Sequence, residues 1–267
     1  MTRVLVVANQ KGGVGKTTTA INLSAALALA GQRVLLIDLD PQANLTSGVG
    51  LKGQTTPAGS VYQALTGDDP RADPFILETA IPGLSLIPAD RNLTGAEVEL
   101  VSLPNREQRL RTVVRSLGDR FDYVFIDTPP SLGLLTLNAF VAADAVLIPL
   151  NCEYFALEGL ADLVATLRRI RASLNPALDI AGVVLTMYDE RTNLGQQVAR
   201  DIRAFFQERV FDTVIPRNIR LGEAPSHGMP AVTYDPKSRG AEAYVSLGRE
   251  FLARDAATRS QTEPQHG

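Results

Sequence analysis

A string of lysines, glycines and threonines near the start of this 267-residue sequence has the composition of a phosphate-binding loop. It follows an apolar run and reads Gln10-Lys11-Gly12-Gly13-Val14-Gly15-Lys16-Thr17-Thr18. Glycines let the backbone approach phosphate oxygens, Lys16 can reach the β- and γ-phosphates, and the Thr17 hydroxyl can ligate Mg²⁺. A simple tight turn is the alternative, but chance would give this string at far less than about one position in a million. We therefore predict a P-loop that binds a nucleotide, expected to be ATP, together with Mg²⁺.

Two residues of this loop depart from the general pattern. Gln10 stands where the pattern has glycine, and a second lysine, Lys11, follows it directly. A lysine so early in the loop is poorly placed to act with Lys16 on its own γ-phosphate, but it can project across a subunit boundary to a neighbour's nucleotide. A solvated surface lysine is the alternative.

Carboxylates follow two further apolar runs. Asp38 and Asp40 lie in Asp-Leu-Asp-Pro-Gln, where they can orient the hydration shell of Mg²⁺ or an attacking water. Asp40 is the candidate for positioning that water, although an acidic turn cap before a proline explains it equally well. Asp127 ends an apolar strand in the Walker B arrangement, so we predict Thr17, Asp38 and Asp127 on the metal side of the site.

Apolar β-branched runs alternate with helix-period segments, which predicts a doubly wound α/β fold with a mostly parallel sheet and helices on both faces. The predicted strands are residues 4–8, 34–38, 84–88, 123–127, 145–150, 182–187 and 213–215. The predicted helices are residues 16–30, 106–117, 134–142, 157–174, 194–209 and 241–254. Ligands of such sheets lie beyond the carboxyl ends of the strands, where the polar segments 9–18, 38–44 and 127–131 occur. We therefore expect these three segments to converge on one site.

Length and composition indicate one soluble domain. Residues 1–255 are expected to form a single P-loop domain with a surface excursion at residues 47–73, and residues 256–267 a polar tail without fixed structure. There is no signal peptide or bilayer-spanning run, and Cys152 is the single cysteine, so we expect a cytoplasmic protein. A net charge of −3 limits any nucleic-acid contact to a local patch.

Taken together, these strings resemble the ParA/Soj family of chromosome- and plasmid-partitioning ATPases, in the deviant Walker A group that includes MinD. The resemblance covers nearly the whole chain. Besides the loop, it rests on residues 38–42 (DLDPQ), 127–133 (DTPPSLG), 152–159 (CEYFALEG), 214–218 (VIPRN), 223–228 (EAPSHG) and 234–241 (YDPKSRGA).

The resemblance implies an ATP-dependent homodimer with Lys11 acting across the interface and slow hydrolysis that uses Asp40. It also implies nucleoid association through double-stranded DNA bound without sequence preference, and release when a ParB/Spo0J-type centromere-binding partner stimulates hydrolysis. Adenine is expected near Pro216 and Asn218. The basic residues that match the family's DNA-binding face best are Arg191 and Arg220, followed by Arg217, Lys237 and Arg239, although each also fits an ordinary solvated side chain.

Several other functions share such a loop. A MinD-like membrane-cycling ATPase needs an amphipathic C-terminal helix, and residues 254–267 show no apolar face of that kind. A nitrogenase-type reductase needs more cysteines than Cys152 alone. A small-molecule kinase or ligase needs an acceptor pocket, for which only residues 47–73 offer room, and an ATP-binding scaffold needs neither Lys11 nor Asp40. The start of the sequence predicts no helix-turn-helix that would bind an operator.

Overall fold

Seven strands form one sheet in the computed structural model, which describes residues 1–153 and 156–262, without the side chains of residues 156–158, 261 and 262. The strands are β1 (Arg3–Val7), β2 (Val34–Asp38), β3 (Leu77–Glu78), β4 (Leu84–Ile87), β5 (Tyr123–Asp127), β6 (Ala145–Asn151) and β7 (Asp179–Thr186). Their order across the sheet is β3-β4-β2-β5-β1-β6-β7. Neighbouring strands run parallel except at the edge, where β3 is antiparallel to β4. β1, which leads into the phosphate loop, lies inside the sheet between β5 and β6.

Helices cover both faces of this sheet, which confirms the predicted doubly wound α/β fold. They are α1 (Lys16–Leu29), α2 (Asn44–Gly48), α3 (Val61–Thr66), α4 (Leu93–Glu99), α5 (Arg109–Arg115), α6 (Leu134–Ala142), α7 (Ala156–Ser173), α8 (Asn193–Phe206), α9 (Ile219–Glu223), α10 (Ala231–Tyr234) and α11 (Arg239–Thr262). Side chains alternate across a strand, so Leu5 and Val7 pack with α1 and α11, whereas Val4 and Val6 pack with α5 to α8. Each face thus has its own apolar core.

The predicted strand at residues 213–215 is wrong. This segment runs beside β7, and the Ile215 amide donates to the Leu185 carbonyl at 2.8 Å, but only isolated bridges form. The amides of Asp212 and Thr213 instead donate to the Glu250 carboxylate of α11, at 2.8 and 2.9 Å. Because a side chain takes these donors, the ladder cannot continue.

Several short or terminal elements also differ from the sequence prediction, among them the helices α2, α4, α9 and α10, which were not predicted. The two-residue strand β3 was not predicted, and α3 lies inside the predicted surface excursion, where Ser60 and Gln63 form a capping box. Helix α11 continues to Thr262, so residues 256–262 are helical where a tail was predicted. Residues 263–267 of that tail, and Tyr154 and Phe155 of the family string, lie outside the described residues.

None of the helices in the described ranges combines the length and apolar character needed to cross a bilayer.

Candidate nucleotide-binding site

Three polar loops meet at the carboxyl edge of the sheet because the central strands are parallel and in register. Asp127 of β5 pairs with Val7 of β1 on one side and with Asp38 of β2 on the other. The phosphate loop leaves β1 immediately after Val7, so it begins beside both carboxylates. The predicted convergence of residues 9–18, 38–44 and 127–131 on one site is confirmed.

The phosphate loop turns into α1 through left-handed glycines. Gly13 has a φ of 71° and Gly15, the residue before the helix, has a φ of 87°, a conformation that strains any residue with a Cβ atom. Val14 between them is buried, and its carbonyl accepts a hydrogen bond from the Thr186 hydroxyl at 2.8 Å. The end of β7 therefore holds the loop in place. The helix N-terminus that follows presents free amides to an anion.

Lys16 is a buried cation at the start of α1. Its side chain is 7% exposed, and Nζ donates to the Lys11 carbonyl at 3.3 Å. Burial lowers the pKa of Lys16, while the nearby carboxylates of Asp127 and Asp40 oppose that effect. An ammonium group with so little solvent gains from an anionic ligand, so its surroundings suit the phosphates of a nucleotide.

Thr17 and Asp127 form a pair beside this lysine. The Thr17 hydroxyl donates to Asp127 Oδ2 at 2.7 Å. Asp127 is fully buried, and its other oxygen, Oδ1, has no hydrogen-bond partner among the described residues. Burial and then the neighbouring Asp38 raise the pKa of Asp127 well above its usual value. A hydroxyl and a buried carboxylate with a free oxygen are hard ligands, and they fit Mg²⁺.

Asp38 and Asp40 differ in their surroundings. Asp38 is fully buried, burial raises its pKa to about 6, and both of its oxygens accept hydrogen bonds from the Asp40 amide or from Thr46. This arrangement does not support a direct contact between Asp38 and a metal ion. Asp40 lines the cavity described below and is 9% exposed, and its Oδ1 accepts from the Gln42 amide at 3.0 Å.

A cavity of about 600 Å³ extends from the phosphate loop to the segment after β7. Gly12, Gly13, Gly15, Lys16, Thr17, Thr18 and Asp40 line one part of it, and Pro216 and Asn218 another. The structure therefore brings most of the predicted phosphate residues and both predicted adenine residues to one cavity, whereas Gln10, Lys11, Val14, Asp38 and Asp127 do not line it. Residues that the sequence reasoning missed also line it, namely Gln42, Asn44, Pro130, Thr186, Met187, Ile215, Leu221, Gly222 and Tyr244. Of these, Gln42, Asn44 and Pro130 closely follow strand ends, which was the available signal.

Lys11 lies at the start of the loop and forms an ion pair. Its Nζ is 2.8 Å from Glu153 Oε2, and the two side chains are 34% and 52% exposed. The Lys11 amide donates to Asn9 Oδ1 at 3.0 Å, and the Asn9 amide group donates to the Pro149 carbonyl at 2.8 Å. Asn9, which is buried, thus fixes the backbone of the loop against β6, although sequence reasoning assigned it no role. The Gln10 side-chain nitrogen has no partner among the described residues.

The five predicted DNA-binding residues are all exposed. Arg191 forms a two-pronged ion pair with Asp189. Arg220 lies between two carboxylates, 2.6 Å from Glu223 and 3.1 Å from Asp235. Arg217 lines the large cavity, while Lys237 and Arg239 flank the start of α11. Four of the five therefore lie between residues 217 and 239, next to the predicted adenine site.

The relatives of this chain are partition proteins. A model of the AAA domain family matches residues 2–180. The chain is 53% identical to the chromosome partitioning protein ParA of Myxococcus xanthus over 95% of this chain and 89% of that protein. It is 51% identical to the sporulation initiation inhibitor protein Soj of Bacillus subtilis, over 95% and 99% of the two chains.

Solved structures of similar proteins show the same fold, one of them with a nucleotide bound. A cobyrinic acid a,c-diamide synthase from Mycobacterium smegmatis, solved with ADP and magnesium, superposes with a TM-score of 0.83 at 38% identity and covers 97% of each chain. The cell division ATPase MinD of Pyrococcus furiosus has a TM-score of 0.79 at 29% identity, over 95% of this chain and 99% of that one. With curated relatives at 50–54% identity over nearly its whole length, the chain belongs to the ParA/Soj family of chromosome-partitioning proteins.

Proposed function

We propose that this protein is an ATP-dependent switch for DNA partition. In this proposal ATP and Mg²⁺ bind in the large cavity, the loaded chains dimerise and bind double-stranded DNA without sequence preference, and hydrolysis stimulated by a ParB/Spo0J-type partner releases them. The observation that carries it is one cavity that is lined by Thr17, Pro216 and Asn218, with the Thr17 hydroxyl bonded to the buried carboxylate of Asp127. Membership of the ParA/Soj family supports the partition role.

The metal ligands we propose are Thr17 and Asp127, because Asp38 has other partners for both oxygens. Bound Mg²⁺ supplies charge neutralisation at the β- and γ-phosphate oxygens. The oxygen of Asp127 that lacks a partner would gain one from a cation or its hydration shell. Thr17, at the start of α1, would hold the same ion.

In hydrolysis, Asp40 orients the attacking water and Lys16 stabilises the charge that develops on the phosphoryl group. Asp40 fits because its side chain lines the cavity and keeps one oxygen beyond its bond to the Gln42 amide. Lys11 is proposed to act on the nucleotide of the partner subunit, as a cationic finger supplied in trans. It must leave Glu153 to do so, and this exposed pair costs little to break.

The DNA surface we propose consists of Arg191, Arg217, Arg220, Lys237 and Arg239, all exposed. Arg217, Lys237 and Arg239 flank α9 and α10 in the sequence, and Arg220 lies in α9. Asn218 caps α9, because its side-chain oxygen accepts from the Arg220 amide at 2.9 Å. Because Asn218 also lines the cavity, the nucleotide site and the basic surface share this helix. If the dimer neutralises about four phosphates, affinity falls about a hundredfold between roughly 50 and 200 mM salt.

The decisive experiment measures binding to duplex DNA of random sequence with no nucleotide, with ADP, and with a slowly hydrolysed ATP analogue, at those two salt concentrations. Wild type is compared with Arg220→Ala and with Arg115→Ala. Arg115 is a matched control because it is an exposed arginine near Met1, at the opposite edge of the sheet. We expect binding only with the ATP analogue, weakened by salt and by Arg220→Ala but not by Arg115→Ala.

DNA binding that ignores the nucleotide, or none with the analogue at low salt, contradicts the proposal. Binding of the ATP form to anionic lipid vesicles in place of DNA would then favour the MinD-like alternative. ATP turnover that requires a small-molecule acceptor would favour a kinase or ligase. This outcome is included because one similar structure is that of a cobyrinic acid a,c-diamide synthase.

A further inference from the structure

The segment between β2 and α2 is a loop whose two ends meet at one buried carboxylate. Asp38 Oδ1 accepts a hydrogen bond from the Asp40 amide at 3.1 Å. Asp38 Oδ2 accepts two from Thr46, at 2.9 Å from its amide and 2.7 Å from its hydroxyl. Asp38 is fully buried, so water cannot replace these bonds. Residues 39–45 are therefore closed into a loop by Asp38 and Thr46.

The Thr46 hydroxyl has a second bond that reaches a different strand. It accepts from the Ala89 amide at 3.1 Å, and Ala89 comes shortly after β4 ends at Ile87. Thr46 is 1% exposed. One hydroxyl thus joins the end of β2, the end of β4 and helix α2, and both its donor and its acceptor capacity are used inside the protein.

The closed loop carries three side chains to the nucleotide cavity. Asp40, Gln42 and Asn44 line it, whereas Asp38 and Thr46 do not. Within the loop, Asp40 Oδ1 accepts from the Gln42 amide at 3.0 Å, and the Asp40 carbonyl accepts from the Ala43 amide at 2.8 Å. The position of Asp40 over the cavity therefore depends on the closure made by Asp38 and Thr46.

We infer that Thr46 is a positioning residue for ATP hydrolysis, acting on Asp40 through the buried carboxylate of Asp38. This inference rests on the proposed function, in which Asp40 orients the attacking water. Removing the hydroxyl takes one hydrogen bond from the Asp38 carboxylate and leaves the Ala89 amide without its acceptor. The loop is then held less firmly at the Thr46 end. Misplacing a reacting group by a fraction of an ångström slows chemistry far more than it weakens binding, and the phosphate loop, which we propose holds the nucleotide, is not part of residues 39–45.

The test compares Thr46→Val, which keeps the shape without the hydroxyl, with Thr46→Ser, which keeps the hydroxyl. Thr79→Val is the matched control, because the Thr79 hydroxyl also bridges two backbone groups, the Leu84 carbonyl at 2.8 Å and the Ile81 amide at 3.1 Å, at the opposite end of β4. Steady-state hydrolysis, the Kd of a fluorescent ATP analogue and thermal unfolding are measured for each. Hydrogen exchange of residues 39–46 is measured without nucleotide.

We expect Thr46→Val to lower kcat about ten- to a hundredfold with less than about a threefold change in Kd. Thr46→Ser should keep most of the activity, and only Thr46→Val should lose exchange protection at residues 39–46. A kcat of Thr46→Val close to wild type, or a loss that Thr79→Val shares, overturns the inference.

Unchanged exchange protection at residues 39–46 in Thr46→Val also overturns it, whatever the hydrolysis rate. Absence of hydrolysis by the wild type would instead refute the proposed function.

Discussion

Replacing Asp127 by Asn should stabilise the protein in the absence of ligand and weaken its response to ATP and Mg²⁺. Asp127 is fully buried and one of its oxygens has no partner among the described residues. Leaving a buried polar group unsatisfied costs about 1–3 kcal/mol, and more when the group is charged. An asparagine keeps the shape and its oxygen can still accept from the Thr17 hydroxyl. Its side-chain nitrogen also lacks a partner, but the group carries no charge beside Asp38, so its burial costs less. We therefore expect Asp127→Asn to raise the free energy of unfolding by about 1–3 kcal/mol, or a few degrees in Tm.

The effect should depend on pH in a defined direction. Because the pKa of Asp127 is raised in the folded state, the folded wild type holds a proton that the unfolded chain has released. The stability of the ligand-free wild type therefore falls as the pH rises above the unfolded value of about 4, and continues to fall until the folded pKa is reached. Asparagine does not titrate, so the advantage of the variant should grow over that range.

Adding ligand should make the wild type more stable than Asp127→Asn, the reverse of the order without ligand. At a hundred times its Kd, a ligand stabilises the native state by about 2.7 kcal/mol. Wild type should gain this from a slowly hydrolysed ATP analogue with Mg²⁺, whereas Asp127→Asn has lost the proposed metal ligand and should gain much less. The measurement is thermal or urea unfolding at several pH values, with EDTA and with Mg²⁺ plus the analogue.

Asp255→Asn is the matched control, and it is expected to lower the free energy of unfolding where Asp127→Asn raises it. Asp255 is also buried, but it is paired with Arg3 and Arg259 and accepts from the Tyr123 hydroxyl at 2.7 Å. Neutralising it leaves the largely buried Arg3 without its carboxylate, so this variant should lose about 3–5 kcal/mol. If ligand-free Asp127→Asn is less stable than wild type, or if it gains as much from the analogue, the reasoning about the metal site is refuted.

Three further variants test other parts of the site. Gly15→Ala should lose about 1–2 kcal/mol of stability and most nucleotide affinity, because Gly15 has a φ of 87°; an unchanged Tm and Kd would count against a strained loop. Asp40→Asn should slow hydrolysis about a hundredfold or more at nearly constant nucleotide affinity, and a hydrolysis rate near wild type would exclude Asp40 as the water-positioning group. Lys11→Gln should change stability by less than about 1 kcal/mol, since its pair with Glu153 is partly exposed, yet abolish hydrolysis; retained hydrolysis would argue against action in trans.

The parts of the site that the sequence predicted are those held by local backbone chemistry. The phosphate loop was predicted because a strand, a glycine-rich turn and a helix follow one another along the chain, and Asp127 because it ends an apolar strand. Asp38 was predicted beside the metal because it too ends an apolar run, but its actual partner, Thr46, is placed by a helix that the local pattern did not reveal. Contacts of this kind depend on tertiary placement.

In the fold, too, the elements set by local sequence patterns were predicted, whereas those decided by contacts between distant residues were not. The five strands from β1 to β6 that surround the site follow apolar runs and were predicted nearly in place, apart from the short edge strand β3. The segment at residues 213–215 has the composition of a strand, but the Thr213 amide donates to Glu250, a residue far along the chain. Helix α11 continues past Arg254 because Asp255 is anchored to Arg3 and Tyr123, which the polar composition of that segment does not indicate.

The central place of β1 in the sheet has a consequence for synthesis on the ribosome. β1 is made first, but both of its neighbours, β5 and β6, are made much later. Until residues 123–127 have emerged, β1 has no adjacent strand and the phosphate loop has no Asp127 beside it. Pairings of such sequence separation form late and leave apolar segments exposed in the meantime. Nascent chains that stop before Tyr123 should therefore depend on chaperones, and ATP cannot assist their folding.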